Sequence, residues 1–177
     1  MNYRTNTTNI VIAGLMIALG LIIPTIFHAA GMGGKVFLPM HIPVLLAGFL
    51  LPPIYALLVG MATPIISSLL TGMPPIFPMA IIMMFELGTY AIIASFLYRK
   101  LRIPLIISLI LSMISGRAMA GLVVYILTLA FSVQGLGDPI IFLKAGAILA
   151  IPGIIIQIIL IPILMHGINR YTTINLD

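Results

Sequence analysis

Long apolar runs separated by short polar or proline-rich stretches dominate this chain from its tenth residue onward. A helix needs about 20 mostly apolar residues to cross the hydrocarbon core of a bilayer. The pattern predicts six membrane-spanning helices: Ile10–Phe27, Leu38–Leu51, Ile54–Thr71, Ile76–Leu97, Ile103–Phe131 and Ile140–Ile168. The second segment is short and is broken from the third at Pro52-Pro53. The last two are long enough to tilt strongly or to extend beyond the bilayer.

The composition agrees with a membrane protein. Hydrophobic residues make up 62% of the 177 residues and charged residues only 6%, with a mean hydropathy of +1.31. Soluble domains usually carry about 25% charged residues, so this chain has too few charges to cover a water-exposed surface. The absence of cysteine excludes disulfides and thiolate metal sites. We therefore predict an all-α integral membrane protein in which residues 1–177 form one domain.

The basic residues predict the orientation in the membrane. One set of segment ends carries Arg4, Arg99, Lys100, Arg102 and Arg170, and the opposite set carries Lys35, Asp138 and Lys144. Cytoplasmic loops of membrane proteins are enriched in Lys and Arg, which predicts a plasma-membrane protein with both termini in the cytoplasm. The basic residues form no continuous stripe, and this argues against nucleic-acid binding.

Three ionisable side chains fall inside the predicted segments: Glu86 in the fourth, Arg117 in the fifth and Lys144 in the sixth. Burial of a charge in lipid is costly, so such residues face a protein interior or a wet cavity and usually pair. Glu86 and Arg117 form either a purely structural ion pair or part of a solute pocket. Two cations against one carboxylate favour an anionic ligand, although Lys144 could instead extend toward the outer headgroups.

The remaining polar and aromatic residues narrow the kind of ligand. His41, at the outer start of the second segment, is either an interfacial hydrogen-bonding residue or a ligand contact. The three histidines cannot converge on one metal ion, and we predict neither a metal nor a cofactor. The chain has no Trp, which favours a small, flexible, hydrogen-bonding solute, with Tyr90 or Tyr125 available for packing or polar contact.

Small residues mark a packing face on the first segment. Ala13, Gly14 and Ala18 allow close approach of another helix, either within the chain or from a partner. Ala56 and Gly60 form a comparable face on the third segment. The sequence lacks the motifs of serine hydrolases, zinc proteases and phosphate-binding loops, so we predict that it is not an enzyme and that any ATP hydrolysis belongs to partner subunits.

One long stretch resembles a known family. Met40–Leu101, which begins MHIPVLLAGFLLPP and contains MFELGTYAII, resembles the substrate-binding S components of energy-coupling factor (ECF) vitamin transporters, and the pantothenate-type branch in particular. The first segment, IVIAGLMIALG, is similar to the small-residue motif of that family's first helix, with Gly14 where the motif usually has alanine.

The resemblance implies a six-helix S component with a vitamin bound near the outer face. It implies that Glu86, Tyr90, Arg117 and Lys144 lie in or near the pocket. It also implies that the face of Ala13, Gly14 and Ala18 packs on a transmembrane coupling subunit carried by two ATPases, and that the S component topples in the membrane during transport.

The function expected is capture of pantothenate, with Arg117 and Lys144 on its carboxylate and Glu86 orienting Arg117 or accepting from a hydroxyl. Nicotinate, another vitamin or a precursor remain alternative ligands. A small intramembrane enzyme with Glu86 as general base, or a structural membrane subunit, are the alternative classes.

Overall fold

The structure is a computed structural model and describes residues 3–31, 34–131 and 138–171. Nearly all of these residues are helical, and no strand occurs among them. The helices are α1 (Tyr3–Ala29), α2 (Gly34–Phe37), α3 (His41–Leu50), α4 (Pro53–Thr71), α5 (Ile81–Ser95), α6 (Leu105–Phe131), α7 (Pro139–Leu149) and α8 (Ile151–Tyr171). Single π-helical turns, Ile76–Ala80 and Phe96–Lys100, flank α5.

Five helical stretches in the described part of the chain are long and apolar enough to cross a membrane. They are Asn6–Ala29, Pro53–Thr71, Ile76–Lys100, Leu105–Leu129 and Ile151–Ile168. The second predicted segment corresponds to α3, whose ten residues extend only about 15 Å at 1.5 Å per residue. That is about half of the hydrocarbon thickness. The prediction of six spanning helices is therefore confirmed for five of them, by length and composition.

The sixth predicted segment, Ile140–Ile168, is two helices and not one. Ala150 ends α7 with φ −85° and ψ −1°, and α8 begins at the next residue. Pro152 explains the break, because its nitrogen has no hydrogen to donate and its ring clashes with the carbonyl four residues earlier. The spanning part of this region is α8, and α7 precedes it as a separate short helix.

Helix α5 lies against α3, α4 and α6. Gly60 of α4 and Gly48 of α3 both meet its backbone so closely that an added Cβ would overlap it, at Leu87 and Ala91 respectively. The predicted small-residue face of Ala56 and Gly60 is thus used for packing inside the chain. The apolar core follows from this arrangement and is formed mainly by α3 and α5, with contributions from α1, α4, α6 and α8.

The end of α3 is stabilised by side chains of the α5 region. Pro52 and Pro53 have no N–H groups, so they cannot donate to the last carbonyls of α3. Ser95 Oγ donates to the carbonyl oxygen of Leu51 at 2.7 Å, and Arg99 Nη1 donates to that of Leu50 at 2.6 Å. These two bonds fix the short helix at the end opposite His41.

Candidate functional site

A buried ion pair joins α5 and α6. Glu86 Oε1 lies 3.0 Å from Arg117 Nη1. Glu86 is only 4% exposed, whereas a quarter of the Arg117 side chain is exposed. The two residues therefore pair inside the bundle, as the sequence predicts, and do not face lipid separately. Each buried charge has a counter-ion.

Two further side chains meet the same carboxylate oxygen. The Tyr90 hydroxyl donates to Glu86 Oε1 at 3.0 Å, and His41 Nε2 lies 4.0 Å from that oxygen. The His41 and Tyr90 rings pack with their centroids 5.5 Å apart. We refer to His41, Glu86, Tyr90 and Arg117 as the Glu86 cluster. Its residues come from α3, α5 and α6.

His41 is the member of the cluster with unmet hydrogen-bonding capacity. The residue is buried, and neither of its ring nitrogens has a hydrogen-bond partner among the described residues. Buried polar atoms are nearly always paired in folded proteins, and an unpaired one needs an explanation. A ligand group or a water molecule could supply the missing bond.

An open groove of about 300 Å³ lies between α6 and α7, and Arg117 connects it to the Glu86 cluster. The groove is lined by Arg117, Ala118, Leu143, Lys144 and Ala147. Lys144 is exposed, and no carboxylate in the described part of the chain forms an ion pair with it. Because Glu86 balances Arg117, the charge of Lys144 is in excess. Most of the lining is apolar, and Lys144 adds a cation without a described counter-ion, which favours an anion over a cation at that point.

The other acidic residue near this region is already engaged. Asp138 caps α7, where its Oδ1 accepts hydrogen bonds from the backbone N–H groups of Ile140 and Ile141 at 2.7 and 3.2 Å. Among the residues that the structure describes, no group of three or more His, Asp or Glu side chains is placed to hold a metal ion. The described contacts of the Glu86 cluster are hydrogen bonds and ion pairs.

The structure brings together most, but not all, of the predicted site residues. His41, Glu86, Tyr90 and Arg117 form the cluster, and Lys144 lies on the adjoining groove. Tyr125 is 53% exposed and is not among the residues that line the groove. The structure thus does not place Tyr125 with the other predicted residues.

The small-residue face of α1 is open where the predicted partner contact would lie. Gly14 is exposed, and a Cβ added to it would meet nothing within 4 Å. Ala13 and Ala18 are partly buried. The face of Ala56 and Gly60 packs against another helix of the chain, whereas no described residue packs against α1 at Gly14.

Two further residues are not among the predicted site residues, although Gln157 is one of the few strongly polar groups inside the predicted segments. Gly116 immediately precedes Arg117, and an added Cβ there would overlap the Tyr90 ring. Gln157 is fully buried on α8, and neither its amide oxygen nor its amide nitrogen has a partner in the described structure. In the sequence, Gln157 is recognisable as a lone amide within a continuous apolar run. Gly116 is recognisable as a small residue next to the arginine of the same helix.

Comparison with known proteins identifies one family. The family model for the substrate-specific component of ECF transporters matches residues 8–165, which is most of the chain. Neither the search of curated proteins nor the search of solved structures found a match.

Proposed function

We propose that this chain, which belongs to the family of substrate-specific components of ECF transporters, captures pantothenate for import. Members of the family are transporter subunits that associate with transmembrane and ATPase modules. The apolar helices and the family together make this chain a multi-pass protein of the plasma membrane. The choice of pantothenate depends on the chemistry of the groove.

The observation that carries the proposal is the excess positive charge of the groove between α6 and α7. Glu86 compensates Arg117 at 3.0 Å, and Lys144 on the facing helix has no described counter-ion. A site of this charge favours a ligand with a single negative charge. Pantothenate has one carboxylate, and nicotinate shares that feature.

The lining of the groove favours pantothenate over nicotinate. We propose that Arg117 and Lys144 bind the carboxylate and that Glu86 orients Arg117. His41 is buried and does not line the groove, so we assign it no contact with a ligand bound there. Pantothenate has two hydroxyls and an amide, which both donate and accept, whereas the nicotinate ring offers only an acceptor nitrogen. Among the residues that line the groove there is no aromatic side chain on which a flat ring could stack.

We also propose an orientation and a docking face. The basic residues near the chain termini and between α5 and α6 favour an orientation with both termini in the cytoplasm. In this orientation the groove opens on the exterior side, where the vitamin is captured. The α1 face of Ala13, Gly14 and Ala18 contacts the transmembrane coupling subunit, because it is open at Gly14 and permits close helix approach.

The proposal is tested by equilibrium binding of radiolabelled pantothenate to the purified protein in detergent. Lys144→Gln should weaken binding roughly tenfold to hundredfold, because a hydrogen bond to a charged group is lost. The double variant Glu86→Gln/Arg117→Gln should weaken it similarly, and it leaves no unpaired charge in the core. Lys100→Gln, which removes an exposed cation at the far end of α5, should not change the affinity.

Two results would contradict the proposal. One is undiminished pantothenate binding in both groove variants, with unfolding temperatures close to that of the wild type. The other is displacement of bound pantothenate by nicotinate at equal concentration, which would show that the hydroxyls and the amide contribute nothing to recognition.

A further inference from the structure

Tyr90 lies next to the proposed anion site but does not line the groove. It is 2% exposed, and its hydroxyl donates to Glu86 Oε1 at 3.0 Å. The same oxygen is 3.0 Å from Arg117 Nη1. An effect of Tyr90 on a bound anion therefore has to pass through Glu86 and Arg117.

Gly116 makes this position of the Tyr90 ring possible. A Cβ on Gly116 would overlap the Cδ1 and Cε1 atoms of the ring and would lie 2.9 Å from the carbonyl oxygen of Glu86. Real Cβ atoms do not approach other atoms so closely, so alanine here would displace the ring or separate α5 from α6. Arg117 is the next residue on α6, and it would move with that separation.

We infer that Gly116 and Tyr90 are positioning residues, which hold Arg117 in place for the ligand without contacting the ligand themselves. Gly116 allows α5 and α6 to approach, Tyr90 fixes the Glu86 carboxylate, and the carboxylate fixes Nη1 of Arg117. The exposed part of the Arg117 side chain then lines the groove. The inference rests on the proposed function, since it assumes that Arg117 binds the carboxylate of the ligand.

The physical basis is the sensitivity of charged hydrogen bonds to geometry. A guanidinium binds a carboxylate best through two parallel N–H bonds, and this requires the fork to lie in a fixed plane. Long side chains are held to within about 0.5 Å only when neighbouring groups restrict them. Glu86, itself held by Tyr90, is the described group that restricts Arg117 from the interior side.

The first experiment compares two ligands that differ only at the carboxylate. Pantothenol has a primary alcohol in place of the carboxylate of pantothenate. Tyr90→Phe should weaken pantothenate binding about tenfold while leaving the affinity for pantothenol unchanged, because only the anion depends on Arg117. Gly116→Ala should also weaken pantothenate binding more than pantothenol binding. Gly167→Ala is the matched control, since a Cβ at that position meets nothing within 4 Å.

A purely structural role predicts a different result. If Tyr90 only supported the fold, Tyr90→Phe would weaken both ligands equally, and that outcome would overturn the inference. Unchanged pantothenate affinity in Tyr90→Phe would overturn it as well. Tyr90→Phe retains the ring and its packing, so the test does not depend on whether Gly116→Ala folds.

A second measurement needs no ligand and separates this inference from the proposed function. Tyr90→Phe should lower the unfolding temperature of the wild type more than that of a Glu86→Gln variant, because the hydroxyl has a charged acceptor only in the former. Additive shifts would show that the network does not exist. If the wild type binds no pantothenate, the proposed ligand is wrong, and this comparison still decides whether Tyr90 positions Glu86.

Discussion

At Glu86, polar side chains from three helices meet one carboxylate oxygen within 4.0 Å. Removal of one partner from a buried ion pair costs about 3–5 kcal/mol, whereas replacement of the whole pair by apolar residues is often neutral. The pair is therefore a poor choice for stability alone. On the proposed function, its connection to an open groove through Arg117 gives it a second use, which is recognition of an anion.

Gln157 offers a prediction at the same scale. Both atoms of its amide are buried without partners in the described structure. Gln157→Met keeps the length of the side chain and removes the unpaired groups, so it should raise the free energy of unfolding by about 1 kcal/mol or more. Thermal unfolding in detergent, without ligand, measures the change.

The control for Gln157 is Thr63→Val, a change at another buried polar residue. The Thr63 hydroxyl already donates to the carbonyl of Val59 at 2.7 Å, so its removal should bring no gain in stability. Loss of stability in Gln157→Met would show that the amide has a structural partner.

At the scale of helices, the short α3 depends on its neighbour. Ten residues give it few internal hydrogen bonds, and the prolines that follow it leave its final carbonyls without backbone donors. Ser95 and Arg99 supply donors from the α5 region. Because His41 lies at the other end of α3, this attachment also holds the histidine next to Glu86.

Ser95→Ala tests this attachment. It leaves the carbonyl of Leu51 without its donor, so we expect a loss of about 1–3 kcal/mol in the free energy of unfolding. Ser115→Ala is the same substitution at a residue of α6 that is partly exposed and bonds within its own helix, and it should cost much less. Equal losses for the two variants would contradict the proposed role of Ser95.

The helix pattern shows what can and cannot be predicted from the sequence. The third and fifth segments were predicted from Ile54 and Ile103, and the helices begin at Pro53 and Leu105. The break at Ala150 was not predicted, although Pro152 is visible in the sequence. Proline alone does not identify a break, because Pro64 and Pro162 lie inside continuous helices. Pro152 accounts for a break once the break is known, but its presence does not predict one.

The site was predictable where charge required it. Burial of Glu86 and Arg117 in an apolar chain forces them to pair, and they do. Tyr125 lies eight residues after Arg117, which rotates it about 80° around α6 at 3.6 residues per turn. Without a contact map, the sequence does not say which side of the helix faces the groove. The contact between Gly116 and Tyr90 could not be predicted for the same reason, since the sequence does not show which side of α6 faces α5.

For the whole molecule, the proposed function would separate ligand capture from assembly. The groove lies between α6 and α7, whereas the open small-residue face lies on α1, which packs mainly on α3 and α4. A transporter subunit that captures a vitamin and passes it on needs two such surfaces.

Gly14→Leu should separate the two functions. The larger side chain would hold a partner helix away from α1, so the transmembrane and ATPase subunits should no longer co-purify with the tagged chain. Pantothenate affinity should be unchanged, because Gly14 is on a different helix from the groove. Gly167→Leu, at another glycine with open space around its Cα, is the control and should preserve assembly. Normal co-purification of Gly14→Leu would exclude this face as the docking surface.

The two groove cations sit on different helices, Arg117 on α6 and Lys144 on α7. Glu86 already balances Arg117, so Lys144 is the lining cation without a described counter-ion. On the proposed function, the carboxylate of the vitamin supplies the negative charge that the groove lacks. It then joins α6 to α7 through one ligand, a connection that the side chains lining the groove do not provide on their own.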